Sequence, residues 1–84
     1  MTRQDIEKKV TDILVDKLGV EPEDVKSEAD FREDLEGDSL DLMVVVMEIE
    51  KDFSISVTDE EADQAKTVGD ICDMVERYQT ARYI

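Results

Sequence analysis

Ser39 stands in Asp38-Ser39-Leu40-Asp41, directly after Gly37 and directly before a largely apolar run from Leu42 to Ile49. A serine in this setting has three kinds of work open to it. It can act as a nucleophile, it can carry a covalently attached charged group, or it can cap the helix that the apolar run announces. Each demands different neighbours, so the surrounding residues discriminate among them.

Gly37-Asp38-Ser39-Leu40 spells the motif of one serine-hydrolase family, but the supporting chemistry is missing. A serine hydroxyl becomes nucleophilic near neutral pH only beside a general base, usually histidine. The chain has no histidine. Lys51 is the only base from Glu33 to Asp63, and on a helix it lies about 18 Å of rise from Ser39. No strand precedes the serine to form a nucleophile elbow. Hydrolase activity is not expected, and the chain reads as a non-enzyme. An EF-hand needs glycine at the sixth loop position and glutamate at the twelfth. Gly37 in the sixth place puts Arg32 first and Met43 twelfth, so only loose cation binding by the acidic surface is expected, without a dedicated metal site.

Attachment remains open. A helix N-terminus presents unpaired N–H groups and a positive dipole end, which favour a phosphate by about 0.3–1 kcal/mol. Gly37 leaves steric room beside the serine. A plain N-cap is an equally ordinary job for serine at this place. Position alone leaves both readings standing.

The elements around Ser39 read as helices. From Thr2 to Leu18, Ile6, Val10, Ile13, Leu14 and Leu18 recur at spacings of three and four, the mark of an amphipathic helix. Thr2 suits its cap, with Asp5 in the first turn; Gly19 ends it and Pro22 prevents its continuation. Glu21 to Asp38 has no sustained period and reads as a long loop pinned by Val25, Phe31 and Leu35. Ser39 to Phe53 is a second helix with two apolar faces. Leu42, Val45, Val46, Ile49 and Phe53 fall on one face, and Leu40, Met43, Val44 and Met47 on the opposite one. Asp41, Glu48 and Asp52 flank the second stripe on one side and Glu50 on the other. Burial on nearly all sides is one reading; an exposed stripe with adaptable methionines, fit for docking a partner, is the other. Thr58 to Ala65 is a short third helix with Thr58 and Glu61 in capping-box places. Thr67 to about Gln79 is the last, with Val68, Ile71, Val75 and Tyr78 as its stripe. Ile55 and Val57 bridge helices two and three without making a sheet, and Arg82 to Ile84 reads as a frayed tail. The expected fold is all-α: a small four-helix bundle, three main helices plus a short third, with a long first loop, spanning 1–84 as a single domain.

Charge narrows the partners. The formal net charge is −14, and Glu33 to Asp63 carries 12 acids against one base. Such a field repels nucleic acid and steers basic protein surfaces towards it. No stretch is long and apolar enough for a membrane span, and no signal-peptide pattern opens the chain. One cysteine, Cys72, suits a reducing, cytoplasmic setting.

Three stretches together resemble acyl carrier proteins. They are Phe31-Arg-Glu-Asp34-Leu35-Glu-Gly-Asp38-Ser39-Leu40-Asp41, then Met47-Glu-Ile49-Glu-Lys-Asp-Phe53-Ser-Ile55-Ser-Val57-Thr-Asp59-Glu-Glu-Ala62, and Thr67-Val68-Gly-Asp-Ile71. The resemblance spans nearly the whole chain in register. It implies a single carrier domain and 4′-phosphopantetheine covalently attached to Ser39 by a separate phosphopantetheinyl transferase, with Asp38 and Leu40 beside it. It implies acyl cargo held as a thioester and tucked into the helical core. The domain would act as a monomer and present its cargo to basic-surfaced synthases and acyltransferases of fatty-acid or related lipid or polyketide synthesis. The implied docking residues are Asp38, Leu40, Asp41, Met43, Val44, Met47, Glu48 and Asp59. Cys72, beside Val68 and Val75, is then a small core residue rather than the working thiol. A peptidyl or polyketide carrier is the nearer alternative, and an unmodified acidic interaction module the one from another class.

The chain departs from that family pattern at several points. Glu36-Gly37 replaces the usual Gly-Ala, Ser54 the usual Gly, Thr58 the usual Pro, and Val44 an acid in the middle of the docking helix. None removes the attachment chemistry. Val44 enlarges the apolar stripe and points to a specialised carrier with its own partners.

Overall fold

The computed structural model describes residues 2–81, and side chains through Gln79. Its α-helices are α1 (Arg3–Leu18), α2 (Ser39–Phe53), α3 (Asp59–Gln64) and α4 (Val68–Ala81), with a single 3-10 turn at Pro22–Asp24. No strand occurs among the described residues; Asp30 and Thr67 form one isolated bridge. The all-α bundle expected from the periodicities is what forms. The tail expected at Arg82 to Ile84 lies outside the described residues. No helix among those described is long and apolar enough to cross a membrane.

Helix α1 starts where its cap dictates. The Thr2 side chain accepts from the Asp5 N–H and the Asp5 carboxylate accepts from the Thr2 N–H, at 3.2 Å each. This reciprocal pair satisfies two donors that a helix start leaves orphaned. Gly19 closes the helix in the left-handed region, its N–H donating to the Val15 carbonyl, as glycine does without a Cβ penalty. Helix α1 packs on α2 and α4. Ile6, Val10, Ile13 and Leu14 from α1 meet Leu42, Val45, Ile49 and Phe53 from α2 and Val68, Ile71, Cys72 and Val75 from α4. Leu18 and Val46, expected fully inside, are only partly buried and pack against this core. Met74 is 1% exposed and is not among the residues of the expected stripe, although it stands three residues after Ile71 and four before Tyr78. Arg3 ties the start of α1 to the middle of α4 through Asp73, at 2.7 Å.

The segment from 21 to 38 is more structured than a bare loop. Phe31 and Leu35 are buried as expected, Val25 half-buried, and Ala29 adds a further buried point. Backbone bonds fasten it to the start of α4. The Phe31 N–H donates to the Lys66 carbonyl at 2.8 Å, Val68 N–H to Ala29 at 3.0 Å, and Gly69 N–H to Ser27 at 2.8 Å. Within the turn, the Asp30 carboxylate accepts from the Arg32 and Glu33 N–H groups, both at 2.9 Å, and Asp34 accepts from Asp30 N–H at 2.7 Å. Side chains of this kind bond neighbouring backbone in turns and so hold them. Asp70 serves the same end at α4, accepting from Lys66 and Thr67 N–H groups, and these two bonds hold its carboxyl below its usual range.

Elements close to their expected bounds complete the bundle. Helix α3 is capped by Thr58, whose hydroxyl accepts from Glu61 N–H. Helix α4 begins one residue later than expected, because the Thr67 hydroxyl accepts from Asp70 N–H in the capping position. Tyr78 is partly buried, and its hydroxyl donates to Glu61, joining α4 to α3 and pushing the phenol pKa up. Ile55 and Val57 form no strand; Val57 N–H donates instead to the Glu50 carboxylate at 2.8 Å.

Two non-glycine residues sit in the left-handed region, Glu36 at φ 57° and Ser54 at φ 56°. These are two of the places where the family pattern has glycine, so the local backbone path persists while the residue that suits it is absent. A side chain there costs roughly 1–2 kcal/mol. Glu36→Gly should therefore stabilise the domain by about 1 kcal/mol, less than the full strain because glycine gains freedom when unfolded. Urea denaturation checks this as a raised midpoint with an unchanged slope.

Candidate functional site

The path to Ser39 begins at Phe31. Its ring is buried, and a Cβ added at Gly37 would stand 2.4 Å from it. Gly37 N–H donates to the Phe31 carbonyl at 2.9 Å. Room beside the serine was the expected reason for Gly37; the structure gives another, close approach of the backbone to an aromatic ring. The chain then enters α2 with its register set.

The cap of α2 is Asp38, not Ser39. The Asp38 carboxylate accepts from Asp41 N–H at 2.9 Å, and Asp41 returns the bond to Asp38 N–H at 3.1 Å. Ser39 is the first helical residue, exposed, with no capping duty for its hydroxyl. The cap reading of Ser39 is thereby corrected. The clue was in the sequence: a capping box wants an acid three residues on, and Asp41 stands three after Asp38, whereas Leu42 stands three after Ser39.

Beside Ser39 lies a residue that the spacing argument did not pick out. Arg32 Nη2 donates to Ser39 Oγ at 3.4 Å. A guanidinium stays protonated and cannot serve as a general base, so this neighbour does not revive hydrolysis. It does place a positive charge at an oxygen otherwise surrounded by aspartates. No signal short of the folded path reveals it, since residues 32 and 39 belong to different elements.

Ser39 borders two depressions. One, of about 360 Å³, runs between α2 and α3 and is largely apolar, lined by Leu42, Met43, Val46, Met47, Val57 and Ala62 with acids at its rim. The other, of about 560 Å³, is more polar and reaches Lys66. Arg32 lines both. A larger hollow between α1 and α2 is walled by charged side chains and does not reach Ser39; its size carries no chemistry.

The second stripe of α2 is solvent-facing. Leu40 is 71% exposed, Met43 61%, Val44 46% and Met47 64%, the large exposed hydrophobics of the described residues. The alternative of a helix buried on nearly all sides does not hold. Asp41 borders the stripe but is also engaged in the cap. Glu48 borders it on the side towards α1 and faces the hollow that holds Lys8 and Lys9. Asp59 stands across the apolar groove on α3. Leu40, Met43, Val44 and Met47 thus share one face, with Glu48 and Asp59 on opposite rims of it and Asp38 at the helix cap.

Cys72 is 1% exposed, and burial pushes its thiol up to about 11 from 9.0. A raised native value means the native state keeps its proton while the unfolded chain loses it. The associated stability is present below pH 9 and is lost as the pH rises towards 11. Native, unmodified protein should therefore leave Cys72 unreacted with an aromatic disulfide reagent near pH 8, and urea should expose one thiol per chain.

An exposed hydroxyl, relieved of capping and set at a helix start beside a guanidinium, fits a phosphodiester-linked group. The comparisons agree with that chemistry. A family model described as "Phosphopantetheine attachment site" matches residues 8–75. An acyl carrier protein of Rubrobacter xylanophilus is 47% identical over 81 residues, covering 96% of this chain and all of that one. One of Porphyromonas gingivalis is 48% identical over 73 residues, covering 87% and 94%. Among solved structures, acyl carrier protein from Enterococcus faecalis superposes with a TM-score of 0.79 at 31% identity, covering 93% of this chain and 99% of that one.

Proposed function

Because the chain belongs to the acyl carrier protein family, we propose that Ser39 Oγ is the atom that carries its 4′-phosphopantetheine. The observation that carries this reading is the division of labour at the head of α2, where Asp38 caps and Ser39 Oγ is left exposed. In loading, Ser39 Oγ forms the bond to phosphorus, its proton passes to a base on the transferase, and the nucleotide part of coenzyme A departs. The arm supplies a terminal thiol on which acyl groups are held as thioesters. Asp38 and Leu40 flank the attachment, Asp38 by fixing the helix start and Leu40 by presenting an apolar side chain to the transferase. The chain acts as a carrier and not itself as an enzyme, since it has no histidine and the bases nearest Ser39, the Asp38 and Asp41 carboxylates, are engaged in the helix cap.

The groove between α2 and α3 supports the acyl chain's resting place. It opens at Ser39, and Leu42, Met43, Val46, Met47, Val57 and Ala62 give it an apolar lining. Partner enzymes dock on the stripe of Leu40, Met43, Val44 and Met47, with Asp38, Asp41, Glu48 and Asp59 drawing in basic surfaces. The domain, 1–84, acts as a monomer in the cytoplasm among synthases and acyltransferases. Incubation with coenzyme A and a broad-specificity transferase should add the mass of one arm to the wild type and none to Ser39→Ala. An unmodified wild type, under conditions that load a control carrier, would leave an acidic interaction module as the reading.

Val44 supports a specialised carrier. It occupies the centre of the exposed stripe, where the family pattern has an acid, and its exposure leaves the apolar surface free for contact. Val44→Glu should alter rates with its acyl-processing partners several-fold while leaving the fold intact, because the side chain already faces solvent. Equal rates with every partner synthase would show that position 44 does not select partners.

A further inference from the structure

We infer that Arg32 binds the phosphodiester of the loaded arm and so sets the direction in which the arm leaves Ser39. The inference rests on Ser39 as the attachment atom. Arg32 Nη2 already reaches Ser39 Oγ at 3.4 Å, and the non-bridging phosphoryl oxygens would lie only two bonds beyond that oxygen. A planar guanidinium can engage two such oxygens at once, which an ammonium cannot.

Two features make Arg32 available for this. In a segment crowded with acids, the ion pairs found among the described residues involve Arg3 and Lys17 rather than Arg32. The bond to Ser39 Oγ is the one its guanidinium makes there. The backbone that presents it is also fixed. Arg32 N–H is held by the Asp30 carboxylate, and the preceding residue, Phe31, is buried and bonded to Lys66. The side chain therefore projects from a built turn.

Electrostatics gives the contact a purpose. Loading adds a negative charge beside Asp38 and Asp41, in the segment that already carries 12 acids against one base. The helix dipole offsets part of that cost, and Arg32 offsets more. Because Arg32 lines both the apolar groove and the polar depression, a phosphate held by it sits at their junction. The rest of the arm then starts between them rather than swinging free.

The test compares apo and loaded forms of the wild type, Arg32→Lys and Arg32→Ala, loaded to completion with excess transferase and checked by intact mass. Loading the wild type should shift the Arg32 guanidinium N–H resonance and the folding equilibrium constant should stay level or rise. In Arg32→Ala, loading should instead lower that constant about two- to fivefold, the scale of a partly exposed charge-assisted contact. The phosphorus resonance of the loaded form should also move between wild type and Arg32→Ala, with Arg32→Lys in between. An identical effect of loading in wild type and Arg32→Ala, with the phosphorus resonance unmoved, overturns the inference while leaving Ser39 as the attachment atom. A wild type that gains no mass overturns both.

Discussion

Burial of the Phe31 ring beneath the Gly37 backbone is the constraint on which the rest depends. It is a contact between a loop and the residue two before Ser39, so it fixes where α2 begins. The same residue bonds through its N–H to Lys66, just before α4. One residue, through its ring and its backbone N–H, thus joins the long first connection, the head of the second helix and the approach to the fourth. A free connection of that length would pay heavily in backbone entropy at about 1–2 kcal/mol per ordered residue. Burying Ala29, Phe31 and Leu35, with the turn bonds of Asp30 and Asp34, offsets that cost where the position of Ser39 demands it.

The acidic composition has a structural use as well as an electrostatic one. Asp5, Asp30, Asp34, Asp38, Asp41, Glu50 and Asp70 all accept backbone N–H bonds. In a chain with ten basic residues against 24 acids, most carboxylates cannot find a cation, and the orphan donors of helix starts and turns are the partners at hand. The field around Ser39 is therefore anchored charge. Asp38 and Asp41 cannot turn freely towards an approaching protein without giving up their cap, whereas Asp59 and Glu48 keep that freedom, since no backbone bond to either carboxylate is among those described.

The helices were legible because period survives translation from sequence to structure. Thr2 and Gly19 at the ends of α1, and the two stripes of α2, need only local geometry, and the exposed Leu40, Met43, Val44 and Met47 follow from the second stripe. The cap at α2 was legible too, but serine and aspartate both cap well and stand side by side, so the choice turned on which had an acid three residues on. Arg32 was hidden for a different reason. Its approach to Ser39 depends on the whole turn from Asp30 to Gly37 folding back, and no period records a non-local path. Glu36 and Ser54 show the converse: a departure visible in the sequence whose meaning, a left-handed backbone kept without glycine, appears only in the dihedrals.

Separating the cap from the attachment has a physical consequence. Were Ser39 the cap, loading would turn its hydroxyl into an ester oxygen, a poorer acceptor, and weaken the helix at the moment the carrier is charged. An N-cap contributes about 0.5–2 kcal/mol, a large share of what holds a domain this small. With Asp38 and Asp41 bonding each other's N–H groups, Ser39 Oγ can be modified while the helix start keeps both of its bonds. The serine is then free to be the chemical site because its neighbours have taken over the structural one.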